Sequence, residues 1–540
     1  MGGSYDVIVV GGGHNGLVAA AYLARAGLRT VVLERRHVVG GAAVSEHPFG
    51  PDYTVTSLSY VVSWLPGDLV RDLELARHGY HVYPQGPYFA PRRDGTALQL
   101  PADRARRREQ VKAFSAKDAD ALDAWDDRLD AIARVLGPLL GDIPPKVGSH
   151  RPADLARQAL LLRRLRDVDT RKAVDITRLL TSSVADLVED HFESDALRGV
   201  LSVSGVIGTW AGPRSPGTAY VMLHHHLGDT DGQQGAWGFP RGGMGAVTQA
   251  LAAAALAAGV EIRTEAPVTR ITTRSGAVTG VVLESGEELT APTVVATAHP
   301  QLVFLRMLDR SELPADFVAD IETWKSRSGT VKVNLAVERL PEFTARPGFD
   351  PEVHAGTIVL AESLDDIEGA FQEAVGGRAA TLPFADVCIP SVLDDSLAPP
   401  GQHIVSMFTQ WVPHTWSAEP RQDELEAYAD RVVARMDAVA PGFTDSVLHR
   451  QVIGPYTMEQ EYGLVGGNIF HGELTVGQMF HGRPAAGYAD VRTPVRVLYQ
   501  AGSATHGGGG VTGVPGRNVV RQVLADRRRA GRRRRLGRSH

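Results

Sequence analysis

The sequence predicts an α/β protein. One part is a βαβ unit with a parallel sheet plus a β-meander, and the other is a mixed α+β region. Three observations predict this. The apolar run Tyr5–Val10 ends in glycines, leads into an Ala- and Leu-rich stretch, and is followed by a second apolar run at Arg29–Leu33. The stretch from Val268 to Ala296 carries hairpin signals at Ser275-Gly276 and Ser285-Gly286. The chain then closes on a strand-like run, a glycine-rich loop and a helical stretch.

Tyr5-Asp-Val-Ile-Val-Val10 is short and rich in β-branched residues, which fit a pleated, buried strand. Asn15 to Ala26 has no proline and predicts a helix, with Gly27 at its C-terminus. Arg29 to Leu33 is the next strand, with Glu34 at its end, which completes a βαβ unit of about 30 residues. Residues 101–200 alternate Arg and Asp with Ala and Leu and predict helices, interrupted at Pro144-Pro145. Residues 247–259 predict an Ala-rich helix, followed by the strand Glu261–Arg263 and the meander, which ends in Val294-Val-Ala-Thr297. A mixed region occupies about 300–485. The final unit is the strand Val495–Tyr499, a loop, and a helix from Gly513 to Leu524.

Composition bounds the classes. With 540 residues, 43% hydrophobic and 22% charged, the chain reads as a globular protein of more than one domain. The net charge is −6, yet residues 527–540 hold eight Arg and no acid. The acidic remainder argues against nucleic acid as a partner. The basic tail lacks apolar periodicity and is expected to be disordered, with contact to anionic lipid or a partner surface as the alternative. One cysteine, Cys388, excludes an internal disulfide and a Cys-x-x-Cys redox pair. It lies in the apolar run Phe384–Ile389 and reads as a small buried hydrophobe. No secretory signal and no stretch of 18 apolar residues is visible, so a cytoplasmic protein without a transmembrane segment is expected.

Gly11-x-Gly13-x-x-Gly16 sits between the first strand and helix. The first glycine permits the tight turn, the second lets backbone approach a pyrophosphate, and the third lets helix and strand pack closely. The helix N-terminus then faces the phosphates with free N–H groups. Glu34 stands where a carboxylate accepts hydrogen bonds from ribose hydroxyls. Together these predict a Rossmann-type dinucleotide site. Two further features favour FAD over NAD. Gly40-Gly41-Ala42 would let backbone close over the pyrophosphate, and the loop Ala501–Gly510 leads into a second helix start that would face the far end of a long cofactor. Gly242-Gly243-Met244-Gly245 follows Trp237–Pro240, which does not read as a parallel strand, so no second dinucleotide is assigned.

The segments Val7–Gly41, Trp237–Gly245 and Tyr499–Asn518 resemble the phytoene desaturase and amine oxidase superfamily of flavoenzymes. Within it the chain is most similar to the group called pyridine nucleotide-disulfide oxidoreductase domain-containing protein 2. The marks are Gly12–Gly16, Glu34–Gly41, Ile389-Pro-Ser391 with Leu397–Gly401, and Gly466–Gly472. Similarity spans nearly the whole chain except the tail. A lone cysteine cannot run the dithiol chemistry that the group name suggests. The resemblance implies that Gly11, Gly13 and Gly16 line the pyrophosphate, with Glu34 and Arg35 at the adenosine end. It implies that Gly41 and Ala42 close over the phosphates and that Val268 meets adenine through its backbone. It also implies that Gly502, Gly513 and Val514 approach the ribityl chain and ring. Many relatives carry Gly-Asp where Gly502-Ser503 stands, so Ser503 is expected to hold the ribityl chain less strongly than a carboxylate. A discontinuous FAD-binding domain of 1–75, 240–300 and 486–526 is expected. Residues 76–239 and 301–485 are expected to form a substrate domain, followed by the tail.

The sequence says less about chemistry, because the flavin does the hard step. In Thr330–Ala336, Lys332 and Asn334 share the face opposite Val331, Val333 and Leu335. Lys is rare here, six against fifty Arg. One reading pairs Lys332 on a solvated face; the other follows the resemblance and sets it near a water beside flavin N5. His471 and His506 lie in motifs that the resemblance places near the flavin; each reads either as a structural hydrogen-bonding residue or as a candidate acid or base. His224-His225-His226 lacks metal-ligand spacing, and no metal is expected. Trp237, Tyr462 and Phe470 are candidates for a cavity wall or for core packing. The leading expectation is a dehydrogenase or desaturase taking hydride from a C–H bond of a small, apolar or mixed organic substrate. A flavin amine oxidase and a flavin-bound regulatory protein without turnover are the alternatives.

Overall fold

A computed structural model describes residues 5–166, 168–230 and 233–536. Its first sheet has five parallel strands in the order Glu261–Arg263, Thr30–Leu33, Val7–Val10, Val294–Ala296 and Leu498–Gln500. The central strand is Val-Ile-Val-Val with every residue buried, as a strand covered on both faces requires. The helix His14–Arg25 buries Leu17, Val18, Ala19–Ala21 and Leu23 on that sheet. It packs against the helices Met244–Ala257 and Val514–Leu536, so segments far apart in sequence share one core. Each fully buried Val or Leu there contributes about 1.5–3 kcal/mol.

The meander is a three-stranded antiparallel sheet, Val268–Arg274, Ala277–Leu283 and Glu288–Thr290. Its first turn has Ser275 and Gly276 both at positive φ, the geometry of a tight hairpin. A second, seven-stranded sheet runs Val447–Ile453, Thr330–Val337, His403–Gln410, Phe384–Cys388, Thr357–Leu360, Tyr88–Pro91 and Ala97–Leu100. All its pairings are antiparallel except Thr357–Leu360 with Tyr88–Pro91. Residues 104–226 carry the predicted helices. The strand Gly238–Pro240 is antiparallel to Val82–Pro84, in keeping with the reading that it is not a parallel strand.

Two expectations need correction. The last strand is Leu498–Gln500, not Val495–Tyr499, because Val497 turns at φ 58 and Arg496 bridges to Ala277 of the meander. The basic tail expected to be disordered from Arg527 is helical as far as Leu536. Arg527 lies 3.3 Å from Asp6, which gives the extension a counter-charge on the first sheet. Residues 537–540 lie outside the described residues. No helix among the described residues is long and apolar enough to cross a membrane.

Candidate active site

A cavity of about 660 Å³ opens at the carboxyl ends of the parallel strands, where open α/β sheets bind ligands. Val10, Leu33, Thr297 and Ser503, each at or just beyond a strand end, border it. From there it reaches the seven-stranded sheet at Lys332 and Phe408. Its size falls within the range of cofactor sites.

The nucleotide end is built by the glycine turn. Gly11 has φ +104, and a Cβ there would lie 2.4 Å from Thr297 Oγ1. A Cβ on Gly16 would lie 2.1 Å from the Gly11 carbonyl oxygen, so the third glycine is a packing requirement. Gly13 differs: the nearest atom to its Cβ position is Gly41 Cα at 4.0 Å, and the residue borders the cavity. Gly13 is also the N-cap of the first helix and supplies no capping side chain, which leaves first-turn N–H groups for a ligand. Glu34 is buried and borders the cavity; its Oε2 accepts from Gly12 N at 2.7 Å and its Oε1 from Arg36 N at 2.9 Å. One carboxylate therefore fixes the turn and presents charge to the cavity. Arg35, Gly41, Ala42 and Val268 also border it. Arg35 donates to the carbonyls of Gln460 and Glu461 and ties the nucleotide strand to a distant helix.

Buried polar atoms test whether a cofactor fits. His14 Nε2, Asn15 Oδ1 and His471 Nδ1 are buried without a hydrogen-bond partner, and their residues border the cavity. Burial pushes both imidazoles down to about 4, so each is neutral near pH 7. A polar cofactor running along the cavity would satisfy such atoms. The residues fit FAD: first-turn N–H groups and Gly13 for the pyrophosphate, Glu34 for ribose hydroxyls, and Ser503 toward the ribityl chain. Ser503 Oγ accepts from Asn15 Nδ2 at 3.4 Å and borders the cavity.

Other candidates fall elsewhere. Gly16, Gly502, Gly513, Val514 and His506 do not border the cavity. Gly502 lets the chain pass Thr297, whose carbonyl oxygen would lie 2.4 Å from a Cβ. A Cβ on Gly513 would lie 3.0 Å from Leu69, and Val514 N–H already donates to Thr512 Oγ1 at 3.2 Å. Gly510 and Val511, just before this second helix, do border the cavity. His506 holds the Leu139 carbonyl with Nε2 at 2.9 Å, the structural of its two expected roles. His471 alone of these two borders the cavity.

Lys332 is the main correction to the solvated reading. Its side chain is 1% exposed and borders the cavity, because the face it shares with Asn334 is turned inward. Nζ donates to Asn334 Oδ1 at 3.0 Å and to Ser406 Oγ, and lies 5.1 Å from the centre of the Tyr60 ring. Burial pushes its amine down to about 7. Trp237, Tyr462 and Phe470 all border the cavity, as does His225. His226 instead pairs with Asp130 at 2.8 Å. Cys388 is buried as expected.

Several residues were not foreseen. Tyr60 and Phe408 border the cavity. Arg483, 3% exposed, donates to the carbonyls of Phe470 at 2.7 Å, Ser503 at 3.0 Å and Gln478 at 3.3 Å. It clamps the Phe470–His471 loop to the Ser503 loop. Tyr60 donates its hydroxyl to Asp386 Oδ2 at 2.9 Å, and Asp386 carried a sequence signal as an acid inside the apolar run Phe384–Ile389.

A dinucleotide fold whose strand ends open into a cofactor-sized cavity, with an aromatic chamber beyond it, defines a flavoprotein of the oxidoreductase class. The chain belongs to the flavin containing amine oxidoreductase family, whose model matches residues 16–517. It is 39% identical to pyridine nucleotide-disulfide oxidoreductase domain-containing protein 2 of Rattus norvegicus, over 97% of this chain and 94% of that protein. It is 26% identical to one of the limonene dehydrogenase subunits of Castellaniella defragrans, over 96% of this chain and 94% of that one. A cofactor-redesigned triple mutant of putrescine oxidase shares the fold at TM-score 0.61 and 15% identity, over 97% of this chain and 99% of that one. The protein is an FAD-dependent oxidoreductase of this amine oxidoreductase family.

Proposed function

We propose that the protein is a dehydrogenase or desaturase that takes a hydride from a C–H bond of a small, largely apolar organic substrate. The aromatic chamber bounded by Trp237, Phe470, Phe408 and Tyr60, continuous with the cofactor cavity, carries this reading. Bound FAD supplies the two-electron acceptor at N5. The chain's own groups orient the substrate and exclude water. Ile207, Ile469 and Phe470 offer apolar contact, and no carboxylate borders the cavity among the described residues except Glu34 and Glu284 at the nucleotide end. The relative named for limonene is consistent with an apolar substrate.

A flavin amine oxidase is the second reading, favoured by the buried Lys332. With its amine pushed down to about 7, Lys332 is largely neutral above that pH. It holds two neighbours and keeps Nζ beside the cavity, where it would fix a water or a neutral amine. The test is anaerobic bleaching of the holoprotein's visible spectrum by limonene, a conjugated polyene, a secondary alcohol and cyclohexylamine. Bleaching by the hydrocarbons supports the first reading, and bleaching by cyclohexylamine alone replaces it with the second. No bleaching by any of them overturns both. Lys332→Met separates the roles further: slowed amine turnover or flavin reoxidation supports a Lys-held water, and unchanged kinetics removes it.

A further inference from the structure

Removing a hydride from a C–H bond leaves the substrate with one proton too many. In a desaturation that proton leaves the neighbouring carbon; in an alcohol or amine oxidation it leaves the heteroatom. A group bordering the chamber has to receive it. His471, pushed down to about 4, is a weak base. His225 has its Nδ1 engaged with the Val221 carbonyl at 2.8 Å. Lys332 serves two neighbours through Nζ.

Tyr60 is placed differently. It borders the chamber, and its hydroxyl donates to Asp386 Oδ2 at 2.9 Å. Asp386 is 1% exposed, and its other oxygen, Oδ1, has no hydrogen-bond partner among the described residues. A buried carboxylate left half-satisfied is costly, so its retention beside a cavity calls for an explanation. The sheet register supplies the arrangement. Asp386 pairs directly with Phe408, and Phe408 directly with Lys332, so all three side chains leave the same face. Tyr60 covers that row: its ring centre lies 5.9 Å from that of Phe408 and 5.1 Å from Lys332 Nζ.

Building on the dehydrogenase reading, we propose that Tyr60 and Asp386 form a proton relay from the substrate. The substrate's proton passes to the Tyr60 oxygen as the Tyr60 proton moves along its hydrogen bond to Asp386 Oδ2. The C–H pair of electrons would leave as hydride, for which FAD, when bound, would supply the acceptor. The substrate loses two electrons and two hydrogens, Tyr60 ends unchanged, and Asp386 ends as the carboxylic acid. The concerted transfer spares Tyr60 the free phenolate, which burial and the neighbouring carboxylate oppose. Tyr60 is the catalytic residue, and Asp386 acts through it. The titratable groups around Asp386 are Tyr60 above it, Lys332 across Phe408, Cys388 on its own strand and Tyr88 two strands away. Lys332 favours the carboxylate at the start in so far as its amine, lowered to about 7, is protonated. Burial raises the Asp386 carboxyl to about 7, which suits a group that must both hold and release a proton.

Tyr60→Phe, Asp386→Asn and the double variant test the relay; both changes keep shape. The first readout needs no substrate. Infrared difference spectra of the full-length holoprotein, titrated with acid, should show a carboxyl band with a midpoint near 7 that Asp386→Asn abolishes. Tyr60→Phe should move that midpoint upward, because the carboxylate loses its donor. An absent band, or a midpoint indifferent to Tyr60→Phe, overturns the relay. The second readout is anaerobic flavin bleaching by limonene and cyclohexylamine. Each single variant should slow bleaching by about 100-fold and flatten its dependence on pH near 7. The double variant should be no slower than either single one. Wild-type protein bleached by neither probe overturns the dehydrogenase reading and the relay together. Wild type bleached, with variants equally fast or slowed in proportion to the product of the single effects, overturns the relay alone.

Discussion

Gly13→Ala and Gly16→Ala separate a cofactor requirement from a packing requirement within one motif. Gly13 has φ −70 and ψ 171, extended backbone that alanine adopts freely. Its new Cβ meets nothing closer than 4.0 Å. The flavin-free Gly13→Ala protein should therefore change in stability by no more than about 0.5 kcal/mol. The same methyl group occupies space through which the pyrophosphate must approach. Charge-assisted bonds from the first-turn N–H groups contribute about 1.5–3 kcal/mol each, so FAD binding should weaken roughly 10- to 150-fold for each bond lost. Gly16→Ala has the reverse signature. Its Cβ would stand 2.1 Å from the Gly11 carbonyl oxygen, so the flavin-free fold should lose about 1–3 kcal/mol or more. Urea unfolding of flavin-free protein and fluorescence titration with FAD measure the two quantities. Gly13→Ala protein that binds FAD like wild type, or unfolds as early as Gly16→Ala, would refute the reasoning.

Glu34→Ala should weaken FAD binding by at least about 10-fold, each charged ribose bond being worth about 1.5–3 kcal/mol. It should also loosen the turn, because Gly12 N loses its acceptor; isothermal titration with FAD checks it. Arg483→Met should destabilise the protein by on the order of 3 kcal/mol, since three loop carbonyls lose their donor, read as a lower midpoint in thermal unfolding. Asp386 has its carboxyl raised from 3.8 to about 7. The folded state thus binds more protons than the unfolded state across that window, and stability contributed by this group falls as pH rises through it. Asp386→Asn should remove that fall and appear relatively more stable above about pH 7 than near pH 4. Lys332, lowered from 10.5 to about 7, has the opposite sign: stability rises with pH between those values, and Lys332→Met should remove the rise. Urea titrations at stepped pH distinguish the two.

The nucleotide end was legible because it is local. Gly11, Gly13, Gly16 and Glu34 lie within one βαβ unit, where spacing carries geometry. The chamber was less legible because its parts come from far apart. Alternation put Lys332 and Asn334 on one face but carried no information on whether that face met water, and the burial depends on Tyr60 and Ser406, 272 and 74 residues away respectively. The Tyr60–Asp386 bond spans 326 residues and has no sequence pattern. At the C-terminal end the glycine-rich loop drew attention to Gly513 and Val514; neither borders the cavity, and Gly513 packs against Leu69 while Thr512 Oγ1 accepts from the Val514 N–H. Within that stretch, Ser503, Gly510 and Val511 border the cavity. The Arg-rich tail shows the limit of composition: it lacks an apolar stripe, yet continues a helix already anchored on the first sheet.

The central claim is that one FAD lies across segments from both ends of the chain. The direct measurement is the visible spectrum of purified full-length protein, followed by acid release and identification of the flavin against protein concentration. The account predicts a yellow protein with one non-covalently bound FAD per chain. A colourless protein that takes up no FAD when supplied with it would contradict the account.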